Sequence, residues 1–439
     1  MSHELILTGG RVIDPSQSLD AVTEVGFAKG KVSGIGTNLK RDPQTKIQDV
    51  KGFIVTPGLI DLHTHVYWGG TSLGVDPDFY ARKSSVTTSV DTGSAGPGNF
   101  PGFAKHVIAP SRQRIYAYLH ISHAGIYGFS RDVHVGESED MRLMDPRGAV
   151  KVAAEYPDEI IGIKVRVGRH ASGDQGIAPL DVALDAANEA GIPLMAHIDE
   201  PPPTYEDVLA KLRPGDVLTH AFRPFPNAPA TAQGTIKPAV LAARKRGVLF
   251  DIGHGMGSFA FKTARAMLAN GFEPDTISSD VHALCIDGPA HDLVTTLSKF
   301  LCLGMDLTAI IRSATETPAR AIRRHDLGTL KVGAAGDASL IRIDDGDFDY
   351  VDVTGEHLAG KKRISAHGMV IRGEWWAIGL SQMQTDAGRK AYELAVAHGW
   401  NAHSYAAKMA AQALAAGEAE EHAFWEIVEA NLKPRVISN

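Results

Sequence analysis

His63 and His65 stand two residues apart in the run GLIDLHTH (58–65). In a strand that spacing sends both imidazoles off one face, where they can hold a single metal ion. His197 in IPLMAHI (192–198) and His220 in DVLTHAF (216–222) offer two more neutral imidazoles for a second ion. Asp280 in TISSDVH (276–282) is followed two residues on by His282, facing the same way. A carboxylate there can touch a metal and also take a proton from metal-bound water. Lys164 is set inside the otherwise apolar run IIGIKVRV (160–167), where a buried ammonium is costly unless it is neutralised, paired or modified. A salt bridge would meet that cost. So would reaction with CO2 to give a carbamate, an anionic two-oxygen ligand able to bridge two metals. Between two histidine pairs the carbamate is the favoured reading. Taken singly, each of these residues has a plain structural reading, a hydrogen-bonded core histidine or an ion pair.

Such side chains need a scaffold that points them at one centre. From Pro57 onward, apolar runs of four to eight residues alternate with helix-length segments, the pattern of a parallel sheet. Eight such runs begin at residues 58, 85, 115, 160, 192, 216, 247 and 276. That number and the span of about 225 residues suit a (β/α)8 TIM barrel. A doubly wound sheet would bring a Gly-rich phosphate turn after its first strand, and none is present. Every histidine and acid named above falls near the C-terminal end of its run, the face on which barrel active sites are built.

The flanking segments read differently. Residues 4–56 and 328–377 are short strands with Gly and Pro turns, so 1–57 and 327–380 are expected to form one small β-sandwich domain beside a barrel of residues 58–326. Residues 381–439 are Ala-rich and read as a helical C-terminal extension broken near Gly417, with a homo-oligomer contact through these helices as one expected use.

A formal net charge of −7 argues against a generally basic nucleic-acid-binding surface. The start MSHELILTGG lacks a signal-peptide pattern, and no run of about 18 apolar residues follows, so a cytoplasmic protein with no membrane partner is expected. Cys285 and Cys302 cannot make a disulfide framework. Cys285 lies close to the last run but has no partner motif for a nucleophilic thiol.

The motif PGLIDLHTH, Lys164 on the fourth run, the single histidines His197 and His220, and Asp280 on the eighth resemble the binuclear, metal-dependent branch of the amidohydrolase superfamily. The resemblance covers about 1–380, since TETPARAIRR and LGTLKVGAAGDASLIRI resemble that superfamily's barrel exit and return to the sandwich. Within it the chain is similar to the dihydroorotase-related group, but Tyr67 in HTHVYWGG stands where the dihydroorotase pattern H-x-H-x-R has Arg. The segments GIKVRVG, HIDEPPP, THAF, DIGHGMGSF and SSDVH instead resemble a dihydroorotase-like group of deacetylases acting on acetylated α-hydroxy acids, such as acetyl-mandelate, and related acyl compounds.

The resemblance implies two divalent metal ions, zinc first with manganese or iron as alternatives, bridged by a Lys164 carbamate and a hydroxide. His63, His65 and Asp280 would serve the more buried ion, and His197 and His220 the other. The implied reaction is deacetylation of an acetylated α-hydroxy or α-amino carboxylic acid, with Asp280 as proton shuttle and His282 beside it. Opening of a cyclic amide, as in dihydroorotase or hydantoinase, is the alternative. The small-molecule substrate is expected to carry a carboxylate. Arg166, two residues beyond Lys164 on the same strand face, is the first candidate to clamp it. Tyr67, His123 and His254 are expected on the same rim as substrate-binding residues.

Overall fold

The computed structural model describes residues 3–377, 387, 390, 391, 393–395 and 397–432. The chain divides into two compact units, 1–378 and 379–439.

The first unit opens with seven short strands: β1 (Leu5–Thr8), β2 (Arg11–Asp14), β3 (Leu19–Val22), β4 (Glu24–Ala28), β5 (Lys31–Gly36), β6 (Lys46–Asp49) and β7 (Ile54–Pro57). The barrel strands follow as β8 (Leu59–Thr64), β9 (Val86–Thr92), β10 (Arg114–His120), β11 (Ile160–Val167), β12 (Leu194–Ile198), β13 (Val217–Leu218) and β14 (Leu249–Phe250). The chain then returns through β15 (Ala338–Val351), β16 (His357–Ile371) and β17 (Glu374–Ala377).

Strands β8 to β14 form one parallel sheet in sequential order, wound as a TIM barrel. Segment 276–282 takes the eighth place without forming a regular ladder. It bridges Asp251 through Thr276 on one side and Thr64 through Val281 on the other. The Asp280 amide donates to the His63 carbonyl at 2.7 Å, and the His65 amide to the Val281 carbonyl at 2.9 Å. Asp280 has φ +49°, a left-handed conformation that interrupts an extended strand. That is why the eighth run closes the barrel by isolated bridges.

Alternation along the strands sorts the core into an outer shell and an axial plug. Ile163, Val165 and Val167 of β11, with Leu194, Ala196 and Ile198 of β12, pack outward beneath the helices. Ile60, Leu62, Val90, Tyr118, Met195 and Val217 fill the barrel axis and rest on Ile322 and Leu327. The helical segment Glu316–Ala321 adds Ala319 and Ala321 to that floor. One end of the barrel is thereby sealed with apolar side chains, leaving the C-terminal ends of the strands to enclose a polar cavity.

The N- and C-terminal strands of this unit make two sheets, β5-β4-β1-β6 and β17-β16-β15-β7-β2-β3. Leu5, Leu7, Val25, Phe27 and Val32 of one pack with Val12, Val55, Ala338, Leu340 and Val370 of the other in a common core. The sandwich is therefore built from both flanks of the barrel, and β7 runs through Pro57 and Gly58 directly into β8.

In the second unit, helices Ala402–Ala416 and Ala419–Leu432 are separated at Gly417, whose φ of +74° ends the first helix with bonds to the Ala413 and Leu414 carbonyls. Ala402, Ala406, Ala410, Trp425 and Val428 form its core. The expected boundary at 380–381 lies outside the described residues. Among the described residues, no helix is long and apolar enough to cross a membrane.

Candidate metal-dependent active site

His63 and His65 do not reach the barrel interior by simple alternation. Ile60 and Leu62 already point inward, so an unbroken strand would turn residue 63 outward. The register of β8 against β9 slips between Asp61 and Thr64, and this irregularity re-aims both imidazoles into the cavity. Asp61, left facing the other way, takes the Tyr80 hydroxyl at 2.5 Å and the Ser279 amide at 2.9 Å, tying the first strand to the eighth segment.

The His63 and His65 Nε2 atoms lie 3.2 and 3.3 Å from Asp280 Oδ1. These three buried residues offer ligand atoms within 4.8 Å of one another and can hold a divalent metal. The His63 ring centroid is 5.1 Å from that of His220, which is 4.4 Å from that of His197. Four imidazoles thus converge from β8, β12 and the turn after β13. His220 and Asp280 are both non-glycine residues with positive φ, +63° and +49°, and backbone strain of this kind persists where a surrounding structure over-determines it.

The ring tautomers follow from the partners behind them. The Thr219 hydroxyl donates to Asp251 Oδ2 at 2.7 Å, leaving its oxygen to accept from His63 Nδ1 at 2.7 Å. His220 Nδ1 donates to the Gly253 carbonyl at 2.7 Å. In both rings Nε2 is left as a free lone pair. His65 Nδ1 lies 2.8 Å from Ser94 Oγ, in a turn braced by amide bonds from Val66 and Ser94 to Asp91. Burial holds His63 and His220 neutral, and burial lowers His65 to about 4. Neutral imidazoles are the metal-binding form. Thr219→Val, which removes the acceptor behind His63, is expected to weaken divalent-metal affinity at least about 10-fold and, because the buried His63 Nδ1–H is left unpaired, to lower Tm as well. Competition against a chelating dye would measure the affinity.

Lys164 and Arg166 of β11 alternate inward as expected, opposite Met195 and His197 of β12. Lys164 is 1% exposed, and its Nζ has no hydrogen-bond partner. Burial lowers its pKa to about 7. His197 Nε2 and Asp280 Oδ1 are also buried without hydrogen-bond partners, and burial raises Asp280 to about 6. An amine, an imidazole nitrogen and a carboxylate oxygen buried without hydrogen-bond partners form the donor set a divalent ion would satisfy. The residues present therefore fit a metal.

These groups line the inner end of a cavity of about 290 Å³. Arg166, Arg223, Asp199, Glu200, His134, His170 and His282 line it as well, with Leu73, Ile126, Phe129 and Met256 as apolar wall. His282 Nδ1 accepts from the Leu284 amide at 3.2 Å, and burial lowers the ring to about 4. Its Nε2 therefore carries a proton that can be donated.

Three expected rim residues lie elsewhere. Tyr67 packs on Phe103 and donates from its hydroxyl to the Asn99 carbonyl at 3.3 Å. His123 is exposed and paired with Asp145 at 2.8 Å. His254 is wholly buried behind the wall, with Nε2 2.7 Å from Lys299 Nζ. Each follows a barrel strand, but the turn it occupies carries it away from the cavity. Cys285 is buried too. Burial pushes its thiol well up, and Sγ donates to the Asp280 carbonyl at 3.2 Å. Sequence reading did not single out Glu137, Asp199 or Arg223, which sit on loops without periodicity.

No protein-family model matches the chain. It is 34% identical over 370 residues to a deacetylase of Agrobacterium fabrum, covering 81% of this chain and 90% of that one. The chain belongs to the deacetylases of the amidohydrolase superfamily. A deacetylase of Enterococcus faecalis is 30% identical over 377 residues, covering 85% and 99% of the two chains. Among solved structures, one described as an adenine deaminase has a TM-score of 0.79 at 29% identity, covering 85% of this chain and all of that one. Another, described as a dihydroorotase, has a TM-score of 0.78 at 32% identity and covers 85% and 99%. Membership of this superfamily brings metal-dependent hydrolysis of a small molecule to the barrel, and the buried His63–His65–Asp280 group is where a divalent metal can bind.

Proposed function

We propose that the cavity holds two divalent cations, zinc before manganese or iron, and that the enzyme removes acetate from O- or N-acetylated small carboxylic acids. His63 and His65 would serve one cation, His197 and His220 the other, with Asp280 and a carbamate on Lys164 completing the set. The observation that carries this reading is the convergence of four neutral imidazoles with an unpartnered buried amine and carboxylate oxygen. The chemistry such a pair supplies when bound is a lowered pKa for water and a polarised acyl carbonyl.

The protein's own groups supply the rest. Lys164, substantially neutral near pH 7.5, can attack CO2 through its nitrogen. An N–C bond forms, a proton leaves, and a buried amine without a partner becomes a two-oxygen anion. Asp280, whose Oδ1 faces both His63 and His65, would take the proton of the attacking water. The same carboxyl returns that proton to the leaving alkoxide or amine, so water and acetyl compound become acetate and the free hydroxy or amino acid. His282 donates from Nε2 towards the substrate. The two guanidiniums among the cavity-lining residues, Arg166 and Arg223, make an acid substrate the one to test first, and the apolar wall suits an apolar α-substituent.

The test is an acetate-release screen with zinc-loaded protein over O-acetyl α-hydroxy acids and N-acetyl α-amino acids of both hands. Cyclic ureides and imides would run beside them. Acetate release from one hand of at least one acyclic acid is the expected result. Ring opening without acetate release would overturn the deacetylation proposal in favour of a cyclic amidase.

A further inference from the structure

Two guanidiniums line the cavity, Arg166 and Arg223, and their charges are not equally available. Arg166 Nη1 donates to both Glu137 oxygens, at 3.0 and 3.3 Å. Burial alone would raise the Glu137 carboxyl, but the Arg166 charge and the His120 ring, whose Nε2 is 3.2 Å away, outweigh it and hold it down at about 2. Arg166 is thus already neutralised by a buried carboxylate, and its guanidinium also lies 5.1 Å from the Phe129 ring.

Arg223 is different. It lies three residues beyond His220, is 5% exposed, donates from Nη1 to the Ile198 carbonyl, and leaves Nε without a hydrogen-bond partner. Among the described residues it makes no ion pair within 4.0 Å. The acids closest to it electrostatically, Asp199 and Glu200, are engaged elsewhere. Asp199 accepts the His170 and Ala171 amides at 3.1 Å each, and Glu200 lies 3.8 Å from His170 Nε2. A guanidinium almost wholly removed from water, with an N–H unpaired, needs an acceptor to offset its desolvation. A carboxylate is the complementary acceptor, since it can take two N–H bonds at once.

We infer that Arg223, rather than Arg166, binds the carboxylate of the substrate, and that Arg166 is a positioning residue that fixes the Glu137 loop against β11. This rests on the deacetylase proposal and narrows its substrate class. The acid must present its carboxylate to Arg223 while its acyl carbon reaches the histidines, with an apolar α-substituent against Phe129, Ile126 and Met256. A carboxamide offers Arg223 one neutral acceptor oxygen and turns an NH2 group towards it in place of the second, so the charge-assisted two-oxygen pairing is lost and the site discriminates against it.

The experiment compares an O-acetyl α-hydroxy carboxylate with its carboxamide, using zinc-loaded protein. Wild type is expected to prefer the carboxylate in kcat/KM by about 100-fold or more. Arg223→Gln should cut that preference below about 10-fold, mainly through KM, and Arg223→Lys should fall between. Arg166→Gln should lower both substrates alike and keep their ratio. Calorimetric titration with the free α-hydroxy acid gives a readout independent of turnover. Wild type should bind it and Arg223→Gln should bind it at least about 10-fold more weakly, with circular dichroism establishing that the variant is folded. If wild type releases no acetate, the deacetylase proposal fails and the calorimetry alone decides the role of Arg223. An Arg223→Gln protein that keeps the full preference or binds the acid like wild type overturns the inference. A wild type that binds no α-hydroxy acid overturns it as well.

Discussion

Asp280→Asn is expected to lower kcat for acetate release by about 10³-fold or more while leaving the protein folded. Asparagine has the same shape but cannot take a proton, and general acid–base catalysis by one positioned group is worth about 10²–10⁴ in rate. Loss of a ligand oxygen beside His63 and His65 adds to that effect. Stability of the metal-free protein should move the other way. Burial raises Asp280 from 3.8 to about 6, so between those values the folded state binds more protons than the unfolded chain. Stability falls as pH rises through that window, and above it the folded state carries a buried carboxylate that asparagine removes. In chelator at pH 7.5 the Asp280→Asn Tm should therefore equal or exceed that of wild type. A fall in Tm with activity retained would mean that Asp280 is a structural carboxylate and has been assigned the wrong role.

Lys164→Met separates the two readings of that lysine more sharply. Methionine matches the length of the stem and carries no charge, so it can neither bond CO2 nor bridge two cations. Acetate release should fall by at least about 10³-fold, and bound metal, measured by elemental analysis, should drop below wild type. Lys164 is buried without a hydrogen-bond partner, and burial lowers its pKa from 10.5 to about 7. Between those values the unfolded chain binds more protons than the folded one, so this group lowers stability progressively as pH falls from 10.5 towards 7. Removing it should raise the metal-free Tm by a few degrees at pH 7.5, and the gain should shrink as pH approaches 10.5. A lysine kept for a structural ion pair would behave oppositely. Its replacement would leave a carboxylate unpaired and lower Tm.

Much of this site is legible in the sequence because strand periodicity is strict. Lys164 and Arg166 share a face of β11, as an apolar run interrupted by two cations at spacing two requires. His197 faces the axis with Met195 for the same reason. The same rule applied to His63 and His65 finds the correct pair but not the route, because the slip between Asp61 and Thr64 depends on pairing with β9 and leaves no mark in local composition. The eighth run reads as a strand from its place as the last member of the βα alternation, yet the left-handed backbone at Asp280 breaks the ladder where the carboxylate is needed. Loop residues were least legible. Glu137 reaches Arg166 across 29 residues, and Arg223 enters the cavity from a turn whose sequence gives no hint of direction. Tyr67, His123 and His254 show the converse: following a barrel strand does not make a residue part of the rim.

The most direct test adds zinc stepwise to metal-free protein in bicarbonate buffer and follows acetate release from the best acetylated acid against metal bound per chain. The proposed two-metal site predicts that activity rises to a plateau at about two equivalents and that omitting CO2 during loading lowers the plateau. Acetate release that is full without metal, or absent at every loading while the protein stays folded, would contradict it.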